Sequence, residues 1–169
     1  SFPIGTNFFD RSSTVFENYS HVPGTPDSLS HSTILTIQYS RQGHLWIGTE
    51  GGINAFDPAT KRSQRIVAQA GVEGALQSNA VLALAEQNNG DLWVGTWSGG
   101  LFRRTAGHDE FEHFMPSPSG AAGTKGNTVN SAYIWSLLID QNQQDLWIGT
   151  ETGGLNRYNF ESQQFHYYL

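Results

Sequence analysis

The chain has 169 residues, enough for one domain with its own core and short for two. Its nine Lys and Arg against fifteen Asp and Glu argue against a nucleic-acid partner, because phosphate binding needs clustered cations. The absence of cysteine excludes disulfides, Cys–zinc sites and thiol catalysis, while many glycines and aromatics with little charge point to an all-β protein.

In chain order, Phe9, Asp10, Phe16 and Tyr19 open with two short strands. "STILTIQY" is an apolar strand, closed by the turn Arg41-Gln42-Gly43, and "LWIGT" (Leu45 to Thr49) is a second. Gly51-Gly52 then supplies a hairpin, for which glycine's access to positive φ is suited. A third strand runs through Ile53 to Phe56, and a fourth carries Ser63 and Ile66. The small basic group Lys61, Arg62 and Arg65 reads as a solvated hairpin. The series repeats with "NAVLALAE" and "LWVGTWSGG", and again with "AYIWSLLI" and "LWIGTETGG". The longest apolar run, "AVLALA", is far too short to span a membrane. No basic, apolar signal segment stands at the start, so an exported parent implies a processed or excised piece.

Trp46, Trp93 and Trp147 recur at roughly 50-residue spacing, the period of a four-stranded propeller blade. "TIQYSRQGHLWIGT", "ALAEQNNGDLWVGT" and "LLIDQNQQDLWIGT" overlay without a gap. In that frame Gln144 replaces the turn glycine of the third repeat, and Trp135 takes the place of Ile34 and Val81 as a core filler. Past the hairpins, Ile53, Leu101 and Leu155 correspond, as do Phe56, Arg104 and Tyr158. The expected architecture is therefore an all-β segment of about three and a half blades in a partial or open propeller. Residues 1–22 form the second half of a blade, and 27–67, 77–115 and 127–169 form one blade each. A blade packs both faces on its neighbours, so Leu and Ile of LW[IV]GT point one way and Trp the other. Trp46, Trp93, Trp147, Gly48, Gly95 and Gly149 form the repeat's structural core. Too few blades to close a ring leave exposed edges, which favour self-association.

The glycine phrase is no phosphate loop, because Ile53, Leu101 or Leu155 and another strand follow it rather than Lys and a helix. The six histidines show no HxH or HExxH spacing, and the group His108, Asp109, Glu110, Glu112 and His113 reads as a solvated turn. No GxSxG elbow is present, and no cofactor or metal is expected. Glu50 and Glu151 are the carboxylates a glycoside-cleaving pair would need. Arg103, Arg104 and Arg157 read as outward-facing and solvated. In a propeller, the hairpins between second and third strands share one face with the connectors between blades, here 20–32, 68–79 and 115–130. That face collects the candidate ligand contacts Glu50, Trp97, Glu151, Tyr133, Trp135 and His31. Trp97 stands where the other repeats carry Glu, and an exposed Trp stacks on sugars or inserts into partners.

"LWIGTETGGLNRYNFESQQFHYY", and the lead-in "DSLSHSTI" before a first strand, resemble the two-component regulator propeller repeat of bacterial sensors. The resemblance implies a periplasmic, non-catalytic sensor segment of a hybrid histidine kinase or diguanylate cyclase. It implies recognition of a small ligand such as an oligosaccharide, with the rest of the parent sensor as a partner. The competing readings are a protein–protein interaction scaffold and a propeller-based carbohydrate-active enzyme.

Overall fold

The structure is a computed structural model that describes residues 6–9, 16–116 and 125–168, and its described elements are all strands. Asp10 and residues 117–124 of the long connector lie outside the described residues. β1 (Thr6–Phe9) and β2 (Phe16–Tyr19) pair antiparallel, Phe9 opposite Phe16 and Thr6 opposite Tyr19. They form a half-blade. Blade 1 contains β3 (Ile34–Tyr39), β4 (Leu45–Thr49), β5 (Gly52–Asp57) and β6 (Arg62–Ile66). Blade 2 contains β7 (Val81–Glu86), β8 (Leu92–Thr96), β9 (Leu101–Arg104) and β10 (Phe111–Phe114). The two-residue β11 (Lys125–Gly126) precedes blade 3, formed by β12 (Ile134–Ile139), β13 (Asp145–Thr150), β14 (Leu155–Asn159) and β15 (Gln164–Tyr168). Each blade is an antiparallel meander in sequence order, and β11 adds a fifth strand outside β15.

The core lies between blades. Ile47 packs with Leu29 and Phe56 toward the half-blade, where Tyr19 meets Phe56 at 4.9 Å. Trp46 and Ile53 of blade 1 join Val81, Leu92, Val94 and Phe102 of blade 2. Trp93, Leu101 and Phe114 of blade 2 join Ile134, Leu146, Ile148 and Phe165 of blade 3. Leu and Ile thus face one neighbour and Trp the other, as the alternation requires.

The glycine of LW[IV]GT is a close-approach residue. A Cβ on Gly48 would lie 2.7 Å from Val81 Cγ1, and one on Gly95 2.5 Å from Ile134 Cγ2, so the next blade's inner strand rests on bare backbone. The hairpin pairs divide their labour in a way composition does not show. Only the second glycine has positive φ: +116° at Gly52, +77° at Gly100 and +68° at Gly154. The first is demanded by space, since a Cβ on Gly51 would stand 2.8 Å from the Ser30 carbonyl oxygen. The preceding threonine closes each hairpin: Thr49, Thr96 and Thr150 donate Oγ1–H to the carbonyls of Gly52, Gly100 and Gly154 at 2.8–3.0 Å.

The gapless overlay of the third repeat is corrected. Tyr39 pairs with Leu45, Glu86 with Leu92 and Ile139 with Leu146, so the turn of blade 3 is one residue longer. The longer turn puts Gln143, not Gln144, in the left-handed place held elsewhere by Gly43 and Gly90. Upstream the frame shifts by one. Ile134, fully buried opposite Thr150, is the partner of Ile34 and Val81. Trp135 falls on the other side of the strand, half exposed, and is no core filler.

Candidate functional site

The face bearing the strand-two-to-three hairpins is built alike in every blade. The residue after LW[IV]GT donates its backbone N–H to the carbonyl just before the inner strand: Glu50 to Thr33 at 3.4 Å, Trp97 to Ala80 at 2.9 Å and Glu151 to Tyr133 at 3.1 Å. The hairpin glycine then reaches the next blade, Gly52 N–H to the Asn79 carbonyl and Gly100 N–H to the Ala132 carbonyl, both at 2.8 Å. The second of these links brings the Trp97 hairpin beside Tyr133.

Three of the expected contacts meet there. The Trp97 ring lies 4.9 Å from Tyr133 and 5.4 Å from Trp135, both edge-to-face, the arrangement favoured by ring quadrupoles. Trp97 is 40% and Trp135 50% exposed, so the cluster offers apolar ring surface to solvent between blades 2 and 3. Its rigidity comes from the backbone: Ser98 holds φ +64° in the hairpin, Ser78 donates Oγ–H to the Trp97 carbonyl, and Ser131 Oγ accepts the Tyr133 N–H. Glu151, exposed and bonded through its own N–H to the Tyr133 carbonyl, sets a carboxylate on the same hairpin row.

Glu50 and His31 form a separate pair on blade 1, Nδ1 to Oε2 3.8 Å. His31 Nδ1 accepts the Thr33 N–H at 3.0 Å, so it caps its turn as Ser131 does in blade 3 and has no proton on that nitrogen to give Glu50. Blade 2, with Trp97 at its hairpin, stands between Glu50 and Glu151.

The acidic and histidine group after β9 disperses. Arg103 pairs with Glu112 at 2.7 Å and Arg104 with Asp109 at 3.5 Å; His113 Nε2 bonds the Gly99 carbonyl while its ring stacks on Phe102. Among the described residues no group of three His, Asp or Glu is placed to hold a metal. The arginines are not the solvated side chains expected. Arg103, Arg104 and Arg157 lie over Trp93, Trp46 and Trp147 at 5.6–5.9 Å, each guanidinium placed against an indole. The basic group of β6 is tied down as well, with Lys61 bonded to Glu17 and Arg65 to the Ser28 carbonyl.

Sequence reasoning missed the straps beneath this face. Leu29, Leu76 and Val129, each 1% exposed, anchor the three connectors. Asn54 and Asn156, both fully buried, bond the connector backbone at Ser30 and Asn130 and return an amide N–H to those side chains. The signal was present as "GGIN" and "GGLN" against "GGLF" in blade 2, where Phe102 takes the position.

These sheets define an open stretch of β-propeller, with the described blades stacked face to face and no ring closed. The two component regulator propeller model matches residues 28–51, 75–98 and 128–152, one match in each of the three repeats of this chain. Among solved structures, the extracellular domain of the putative hybrid two component system BT3049 from B. thetaiotaomicron superposes with a TM-score of 0.77 at 24% identity, over 97% of this chain and 21% of that one. The corresponding domain of BT4673 from the same organism gives 0.69 at 22% identity, over 92% and 19%. PorZ, a surface component of the type-IX secretion system of Porphyromonas gingivalis, gives 0.59 at 20%, over 83% and 18%. The chain thus spans about a fifth of the length of these structures, and the likeness is one of fold. No curated protein matches the chain.

Proposed function

We propose that residues 1–169 are a single, non-catalytic propeller segment from the periplasmic sensing region of a bacterial signal-transduction receptor. A small ligand such as an oligosaccharide is recognised on its hairpin face. The observation that carries this reading is the exposed, pre-ordered cluster of Trp97, Tyr133 and Trp135 at the junction of two blades. Ring faces of this kind stack on the C–H faces of pyranoses, and Glu151 adds an acceptor for hydroxyls. The family match supports the receptor context. Thermal shift against a panel of neutral oligosaccharides tests it: stabilisation by one class, lost in Trp97→Ala, is expected, and stabilisation kept in that variant contradicts it. Turnover of any sugar in the panel restores the enzyme reading.

One observation favours an assembly role beside this. The outer face of blade 3 presents Leu138, Leu155 and Tyr168, all exposed, around a partly exposed Trp147. The equivalent faces of blades 1 and 2 are each covered by the next blade, so the occupant that fits is a further blade of this type. In the parent that is a neighbouring repeat; in the isolated chain it is a second copy, detected by light scattering.

A further inference from the structure

The two complete blade junctions are unequal at the end of the strands opposite Trp97. Beside Trp93, between blades 2 and 3, the space is taken by Arg103, Phe114, Tyr158 and Phe160, with the rings of the last three 5.1–6.0 Å from Trp93. By register, the residues in those places beside Trp46 are Ala55, Ile66, Arg104 and Ala106. The smaller set leaves a cleft of about 780 Å³ between blades 1 and 2, whereas the hollow at the matching positions on blade 2 (Arg103, Thr105, Glu110, Phe111 and Glu112) is about 370 Å³. Both volumes lie within the range of small-molecule sites, but only the larger is lined from two blades.

Its floor is Trp46, Ala55, Ile66 and Leu92, and its walls carry charges of both signs. Arg104 is 21% exposed, held over Trp46 by a bond from Nε to the His108 carbonyl. Its nearest carboxylate, Asp109, is 3.5 Å away and fully in solvent, so the guanidinium is weakly compensated. Asp57 on the facing blade accepts from Thr60 Oγ1 and the Ala59 N–H, which hold its carboxyl below the usual range and keep it ionised. Among the described residues no cation pairs with it. His44, edge-on to Trp46 at 4.5 Å, is partly buried, feels the charges of Glu86, Arg104 and Asp57, and has a buried Nε2 without a partner.

We propose that this cleft binds a small zwitterion such as a free α-amino acid, its carboxylate on Arg104 and its ammonium on Asp57. Uncharged ligands would leave both groups as they are, and a singly charged one would satisfy only one of them. The site is independent of the hairpin-face reading.

The test is an amide NMR titration of the whole chain with each common α-amino acid, read at Gly43, Gly90 and Gly107, which border the cleft. At least one amino acid is expected to shift these amides saturably, with its N-acetyl and amide derivatives at least about tenfold weaker. Ala106→Phe, which copies Phe160 into the cleft, and Asp57→Asn should each abolish the shifts, while Trp97→Ala leaves them intact. Silence of these amides across the panel, or binding unchanged in both cleft variants, overturns the proposal.

Discussion

Blade 2 and blade 3 write the same phrase and bury it differently. Trp93 is completely inaccessible, enclosed by Phe114, Tyr158 and Phe160, and its indole N–H bonds Gln87 Oε1 at 2.9 Å. Trp147 has Arg157 and Tyr168 beside it and stays partly exposed, with its cross-strand partner Leu138 at 66% exposure. LW[IV]GT therefore encodes a strand and the side it offers; the neighbour supplies the burial. Stability in such an array is a sum over junctions.

That contrast breaks first at the tryptophans. Trp93→Ala should cost about 3–5 kcal/mol in chemical denaturation, and Trp147→Ala less, about 2 kcal/mol, since part of its transfer gain is already absent. Equal losses would show that blade 3 has a cover in solution. The glycines give the next largest effect. Gly95→Ala drives a Cβ into Ile134 of the next blade and should cost about 1–3 kcal/mol, whereas Gly149→Ala meets only the Ser136 side chain of its own sheet and should cost less. If the uncovered face drives association, Leu138→Glu should turn any dimer seen by light scattering into monomer with the melting temperature nearly unchanged. The smallest effect is one of pH. Burial lowers the pKa of His44 below its usual 6.5. The unfolded chain therefore binds that proton first, so this contribution is full above about pH 6.5 and lost as pH falls through the folded value. His44→Gln should flatten the acid limb of a melting-temperature profile.

The sequence made the fold legible because three copies repeat both periodicity and hairpin chemistry. The alternation of Leu, Trp and Ile alone told which side faces which neighbour. One inserted turn residue, by contrast, was invisible in an ungapped overlay, and it moved Trp135 from core to surface. The arginines were misread because their cover is an indole on a paired or neighbouring strand, a contact composition does not reveal. The individual members of the aromatic cluster could be named from loop placement. Their convergence depends on the Gly100–Ala132 link between blades, which only three-dimensional packing supplies.

The measurement that most directly tests the account of covered and uncovered repeats is fluorine NMR of the 5-fluorotryptophan-labelled chain, comparing light and heavy water. In dilute monomer, Trp93 should show no solvent isotope shift and Trp46 almost none, while Trp147, Trp97 and Trp135 respond clearly. Raising the concentration should then protect Trp147 and leave Trp97 and Trp135 responsive. A Trp147 as silent as Trp93 in the monomer, or a silent Trp135, would contradict the arrangement described.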